Sequence, residues 1–248
     1  MTVLNGRRAL ITGAASGIGA AIARAYAEAG AALALADLDA DGLAAVAGEL
    51  PAGAAVTRHT VDVSDAAAVR ALAGEAIDAH GGIDVLVNCA GILSEVPLVE
   101  MEPATWDRLL EVDLRSVFLC CRYVVPHMVA AGGGRVINVS SQLGLKGGEG
   151  LTHYSAAKAG VIGFTKALAR EVSRHGVLVN AIAPGPIVTP LIDGLSPQWQ
   201  AAKEAELPLG RFGRPEEVAP TAVLLASDPG GNLYTGQTLG PNCGDVMP

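Results

Sequence analysis

Short runs of apolar residues alternate along this chain with longer segments whose apolar positions recur at helical spacing. Arg8–Thr12, Ala32–Ala36, Ala55–Val61, Ile83–Asn88, Arg135–Ser140 and Val177–Ala183 read as buried strands. Between them Gly17–Ala29, Asp41–Leu50, Asp65–His80, Thr105–Ala131 and Tyr154–Arg174 read as helices. Helix starts are expected at Ser64 and at Pro103–Ala104. Gly30, Gly81 and Gly176 follow last turns, where glycine takes a left-handed C-cap without steric cost. Strand–helix alternation with nearly continuous apolar strands predicts a parallel sheet covered on both faces, a doubly wound α/β fold. Residues 1–248 show no linker-like composition shift and are expected to form one domain. The stretch from Leu191 to Pro208 breaks the alternation around a short helical piece, Pro197–Glu206. An insertion of this length suggests a substrate lid at about 190–212. After it, Pro215–Ser227 reads as a helix and Gly236–Leu239 as a last short strand.

Composition narrows the class. Of 248 residues, 50% are hydrophobic and only 17% charged, which excludes intrinsic disorder. No apolar run approaches the roughly 18 residues of a membrane span, so no membrane partner is expected. Seventeen basic against twenty-five acidic residues give a net charge of −8, and no basic cluster suggests nucleic acid. Arg7 and Arg8 are not followed by a secretory apolar region, because Gly13, Ser16 and Gly17 interrupt it. Cys89, Cys120, Cys121 and Cys243 lack ligand or disulfide spacing, so reduced thiols and a cytoplasmic location are expected. Cys120 and Cys121 read as packing, and His80, His127 and His175 lack the partners of a metal site.

The chemistry gathers at strand ends. The first strand runs into Thr12-Gly13-Ala14-Ala15-Ser16-Gly17-Ile18-Gly19, with a helix beginning inside the run. Such a turn lets the backbone approach a pyrophosphate at the helix N-terminus, where free N–H groups and the dipole favour an anion. By itself the G-x-x-x-G-x-G spacing also suits a plain tight turn. Asp37, with Leu38 beside it, ends the second strand eighteen residues after Gly19. A carboxylate there accepts the hydroxyls of an adenosine ribose and repels a 2′-phosphate, although Asp39 competes for the role. Asp62-Val63 and Asn88-Cys89-Ala90-Gly91 follow the next two strands and face the same sheet edge, unless they are ordinary turns. Ser140-Ser141 ends the fifth strand, and Tyr154 and Lys158 stand four apart on one helix face. A phenol is a poor base at pH 7; a cation about 4 Å away supplies the roughly 4 kcal/mol that brings it there. His153 reads either as a substrate contact or as a helix-start polar residue.

Taken together, these motifs resemble the short-chain dehydrogenase/reductase (SDR) family over nearly the whole chain. The resemblance rests on Thr12–Gly19, Asp62–Val63, Asn88–Gly91, Ser141 with Tyr154 thirteen residues later, Tyr154-Ser155-Ala156-Ala157-Lys158, and Pro184–Thr189. It implies a seven-stranded Rossmann sheet, a homotetramer and a nicotinamide cofactor. It also implies Tyr154 as general acid/base, Lys158 lowering its pKa and holding the nicotinamide ribose, and Ser141 orienting the substrate oxygen. Pro184, Gly185, Ile187 and Thr189 would hold the carboxamide. Two positions depart from the family pattern. Cys89 replaces the second asparagine of N-N-A-G, in a turn that works through its backbone. Asp113 replaces an asparagine that holds a relay water by its carbonyl at a helix irregularity, and is a relay candidate.

The expected activity is hydride transfer between NAD(H) and a secondary alcohol or ketone. Asp37 and the charge of −8 speak against reduction of a 3-oxoacyl thioester on acyl carrier protein or CoA. The set Tyr154, Lys158 and Ser141 speaks against a non-catalytic NAD-binding regulator. Leu93, Gln142, Leu145, Glu149 and the lid are the expected substrate walls.

Overall fold

A computed structural model describes residues 2–192 and 197–247. Seven parallel strands form one sheet: β1 (Arg8–Thr12), β2 (Ala32–Asp37), β3 (Val56–Thr60), β4 (Val85–Asn88), β5 (Gly134–Val139), β6 (Val177–Ile182) and β7 (Thr238–Leu239). Their order is β3-β2-β1-β4-β5-β6-β7. The chain therefore winds outward from β1 to β3, then returns to the other side of β1 as β4. This reversal opens a crevice at the carboxyl ends of β1 and β4, where side-by-side connections leave in opposite directions.

Strand periodicity divides the core between the two faces. Ala9, Ile11, Leu33, Leu35, Val85 and Val87 point to one face, and Leu10, Ala34, Ala36, Leu86 and Val136 to the other. Helices α1 (Gly17–Glu28), α2 (Ala40–Glu49) and α9 (Pro215–Ala226) cover the first face. The second is covered by α3 (Ala66–His80), α5 (Ser116–Ala130) and α7 (Thr152–Val172). Small residues let α1 lie close to α9, and the buried Tyr26 crosses that seam to donate from its hydroxyl to Ala222 O at 3.0 Å. The edge strands β3 and β7 depart from the buried pattern, because each has a neighbour on one side alone.

Several sequence expectations need correction. Asp65, not Ser64, caps α3, accepting from the N–H groups of Ala67 and Ala68. The expected single helix Thr105–Ala131 is α4 (Pro103–Leu110) and α5 joined through a π-helical turn, Glu111–Arg115. A π turn inserts one residue and re-aims the side chains inside it, and Asp113 thereby becomes fully buried. A short helix α6 (Leu143–Lys146) follows β5 where none was expected. The glycines at 30, 81 and 176 do take positive φ after their helices. The remaining helix, α8 (Pro197–Glu206), lies in the expected lid, of which residues 193–196 fall outside the described residues. Among the described residues, no helix is long and apolar enough to cross a membrane.

Candidate active site

A crevice of about 490 Å³ runs along the carboxyl edge of the sheet. Its floor forms where the turn after β1 meets the turn after β4. Gly13 has φ of +67°, and a Cβ there would stand 2.8 Å from the Ala90 backbone. Only glycine permits that approach. Thr12 ties the two turns together, its hydroxyl oxygen accepting from Cys89 N at 3.1 Å and Ala90 N at 3.3 Å. Cys89 thus serves through its backbone, as expected, and burial pushes its thiol up to about 12. Gly17 faces Thr189 across the crevice, where a Cβ would come within 3.2 Å of the threonine methyl.

The structure decides between the two aspartates after β2. Asp39 caps α2, accepting from Gly42 N at 3.0 Å, and does not line the crevice. Asp37 lines the crevice, and its Oδ2 accepts from Ala15 N at 3.0 Å, within the glycine turn. Its Oδ1 accepts from Asp39 N at 3.1 Å. Leu38, Asp62 and Val63 line the same end with Ser16, Ile18 and Gly19. Hydrogen bonds from Ser64, and then Arg108, hold the Asp62 carboxyl below its ordinary range. Arg108 is a crevice residue that sequence reasoning missed; its Nη1 donates to Ser64 Oγ at 2.8 Å. Nothing in its amphipathic helix distinguishes it from a surface arginine.

Asn88 is buried and, unlike its neighbours Ala90 and Gly91, is not among the residues that line the crevice. Its Nδ2 donates to Asn138 Oδ1 at 2.8 Å, and Asn138 donates on to Thr165 Oγ1 at 2.9 Å. This buried ladder joins β4, β5 and α7, so Asn88 supports the site rather than lining it.

At the inner end, Ser141, Tyr154 and Lys158 converge. Ser140 Oγ donates to Lys158 O at 2.7 Å and docks α7 against the end of β5. Lys158 Nζ donates to Val139 O at 3.3 Å, lies 3.0 Å from Asp113 Oδ2, and stands 5.5 Å from the centre of the Tyr154 ring. Asp113 Oδ1 accepts from Ile92 N at 2.8 Å. Burial works against the lysine charge, but Asp113 and then Tyr154 reverse this and hold the ammonium above its ordinary value. Burial raises the Asp113 carboxyl against the pull of Lys158 and the Ile92 N–H. Burial first, and Asp113 with it, hold Tyr154 above its ordinary value, against Lys158 and a hydrogen bond from Ser141. His153 is fully buried behind Tyr154, its Nε2 bonded to Ser94 Oγ at 2.9 Å, and does not line the crevice.

Pro184, Gly185, Ile187 and Thr189 form the opposite wall. Pro184 O accepts from Gln142 N at 3.0 Å, and Ile187 bridges to Gly213. Leu93 and Gln142 line the crevice, whereas Leu145 and Glu149 are exposed and Leu143 lines it instead. Leu191, Ile192 and Lys203 bring the expected lid to the crevice. Lys203 Nζ lies 2.5 Å from Asp245 Oδ2, and Lys146 Nζ lies 2.8 Å from Asp245 Oδ1. Gln142 Nε2 also donates to Asp245. One carboxylate from the C-terminal tail thus pins α8 and α6 on either side of the opening. Asp245→Ala should raise the KM for the second substrate roughly tenfold, about 1.4 kcal/mol, with the cofactor KM unchanged. Steady-state kinetics with each substrate varied in turn check this.

The residues present fit a dinucleotide. The glycine floor admits a close backbone approach, α1 begins beneath it, and Asp37 lines the same crevice. Comparison with known proteins agrees. A family model described as enoyl-(acyl carrier protein) reductase matches residues 13–244. The 3-oxoacyl-(acyl-carrier-protein) reductase FabG of Thermotoga maritima is 40% identical over 247 residues, covering 98% of this chain and 99% of that one. The cis-4-hydroxycyclohexanecarboxylate dehydrogenase of Sinomonas cyclohexanicum is 46% identical over 224 residues, 90% of each. A crystal structure of a short-chain type dehydrogenase/reductase from Mycobacterium marinum superposes with a TM-score of 0.94 at 36% identity, covering 99% of this chain and 97% of that one.

Proposed function

We propose, from the premise that the chain belongs to the short-chain dehydrogenase/reductase family and is an oxidoreductase with a nicotinamide cofactor, that it interconverts a secondary alcohol and a ketone with NAD(H). The observation that carries this reading is the convergence of Tyr154, Lys158 and Ser141 at one end of a crevice whose other end holds Asp37.

When bound, the nicotinamide supplies hydride transfer; the protein's residues manage the proton and the geometry. Tyr154 as phenolate takes the hydroxyl proton of the alcohol, and as phenol returns it to the ketone oxygen. Ser141 donates a hydrogen bond to that same oxygen, opposing drift of the reacting carbon. Lys158 favours the phenolate and retains an N–H beyond those directed at Val139 and Asp113, with which it would hold the nicotinamide ribose. Gly13, Ser16, Gly17, Ile18 and Gly19 would receive the pyrophosphate, Asp62 and Val63 the adenine, and Pro184–Thr189 the carboxamide. The segment around α8 would cover the substrate.

Asp37 supports NAD over NADP. Like charges about 4 Å apart cost roughly 1 to 4 kcal/mol, depending on screening, and the glycine turn holds this carboxylate in place. NAD should therefore be preferred at least tenfold in kcat/KM. Equal values for the two cofactors would remove Asp37 from this role.

A second reading is favoured by the relatives named as 3-oxoacyl reductases. Two parallel assays separate them: secondary alcohols with NAD, and a 3-oxoacyl-CoA with NADH. Turnover of the thioester alone would overturn the alcohol reading.

A further inference from the structure

We infer that Asp113, as a buried counter-ion to Lys158, is a positioning residue that sets the pH at which Tyr154 becomes a base. The inference rests on the reading of Tyr154 as the acid/base. It starts from the π-helical turn Glu111–Arg115, which turns this side chain inward between α7 and the loop after β4. Ile92 N anchors one carboxylate oxygen at 2.8 Å, and the other lies 3.0 Å from Lys158 Nζ. The side chains of Asp113 and Lys158 are 0% and 6% exposed, so water screens the pair little. Gly91 leaves the room for it: a Cβ there would come within 3.0 Å of Asp113 Oδ2 and 3.3 Å of Lys158 Nζ.

An asparagine has the same shape but only one acceptor oxygen, which could face the ammonium or Ile92 N but not both, and it carries no charge. The carboxylate makes the lysine one half of a dipole, whose field at the phenol is weaker than that of a lone cation. Other groups around the pair do not offset this. The Cys89 thiol stays protonated, burial having pushed it up to about 12, and Ser141 is a neutral hydroxyl. Burial also lowers His153, which is bonded to Ser94 and neutral above pH 7. Above neutrality, Lys158 and Asp113 are therefore the charges that act on Tyr154. Asp113 opposes what Lys158 does.

The test is Asp113→Asn, which keeps shape and removes charge. Ionisation of Tyr154 is read from tyrosinate absorbance, without cofactor and again with NAD, after subtracting the same protein carrying Tyr154→Phe. The midpoint should fall by about one pH unit or more, a tenfold change in the ionisation constant. The pH–rate profile for alcohol oxidation should move down with it. An unmoved midpoint, or one that moves up, overturns the inference. If Asp113→Asn does not fold, Asp113→Ser carries the same titration. Failure of the acid/base reading is separately visible: Tyr154→Phe would retain turnover, whatever the titration shows.

Discussion

Tyr154→Phe should bind NAD as the wild type does and lose roughly 10² to 10⁴ in kcat, the range typical of a lost general acid/base. The substitution removes one oxygen and keeps the ring, which is buried with Leu109, Leu151 and Ala157. The local packing therefore survives, and the cofactor crevice with it. Because burial favours the neutral phenol and the phenolate is the base, wild-type oxidation should rise with pH. Phenolate is the base, and its fraction grows until the apparent pKa is passed. Steady-state kinetics over a pH series check both points, with NAD affinity measured by calorimetry. A Tyr154→Phe enzyme that binds NAD and retains near-wild-type turnover would show that the proton comes from elsewhere.

Lys158→Met should impair chemistry, cofactor binding and stability together. It removes the cation that favours the phenolate and the N–H assigned to the ribose, so kcat/KM should fall by about 10² or more. It also leaves Asp113, buried at the crevice wall, without its counter-ion. Breaking a buried pair in this way costs about 3 to 5 kcal/mol at neutral pH. The sign of the pH dependence follows from which state holds the proton. Without Lys158, folded Asp113 binds a proton more tightly than unfolded Asp113. The variant is then least handicapped at low pH, and loses stability as pH rises from the unfolded carboxyl pKa through the raised folded one. Adding Asp113→Leu should recover much of the stability at pH 7 without restoring turnover. Thermal or urea melts of the two single variants and the double variant close the cycle. Equal melting of wild type and Lys158→Met at neutral pH would contradict the buried pair.

Particular residues show how far the chain could be read without its fold. The pair Tyr154 and Lys158 was legible because four residues is one helical turn. Gly13 was legible because a glycine at a strand-to-helix turn has few other uses. Asp113 was legible as a departure from the family pattern, but its ion pair was not, since its partner is 45 residues away. The periodicity of Thr105–Ala131 runs through the π turn without a break, so the inward aim of Asp113 had no local signature. Asp37 was legible because it falls where the strand meets its loop, and its competitor Asp39 proved to be a helix cap. Asp245, 42 residues beyond Lys203 in an irregular tail, carried no signal at all.

The sequence by itself determined the doubly wound class, the sheet edge that bears the site and the spacing of the reactive pair. These depend on periods of two and 3.6 residues and on turn chemistry, which are local properties of the chain. Which carboxylates face the crevice, what holds α8, and whether Lys158 stands as a lone cation or as half of an ion pair emerged only with the fold. Those outcomes depend on burial and on distances through space, because Coulomb and desolvation energies follow separation in ångströms and not along the sequence.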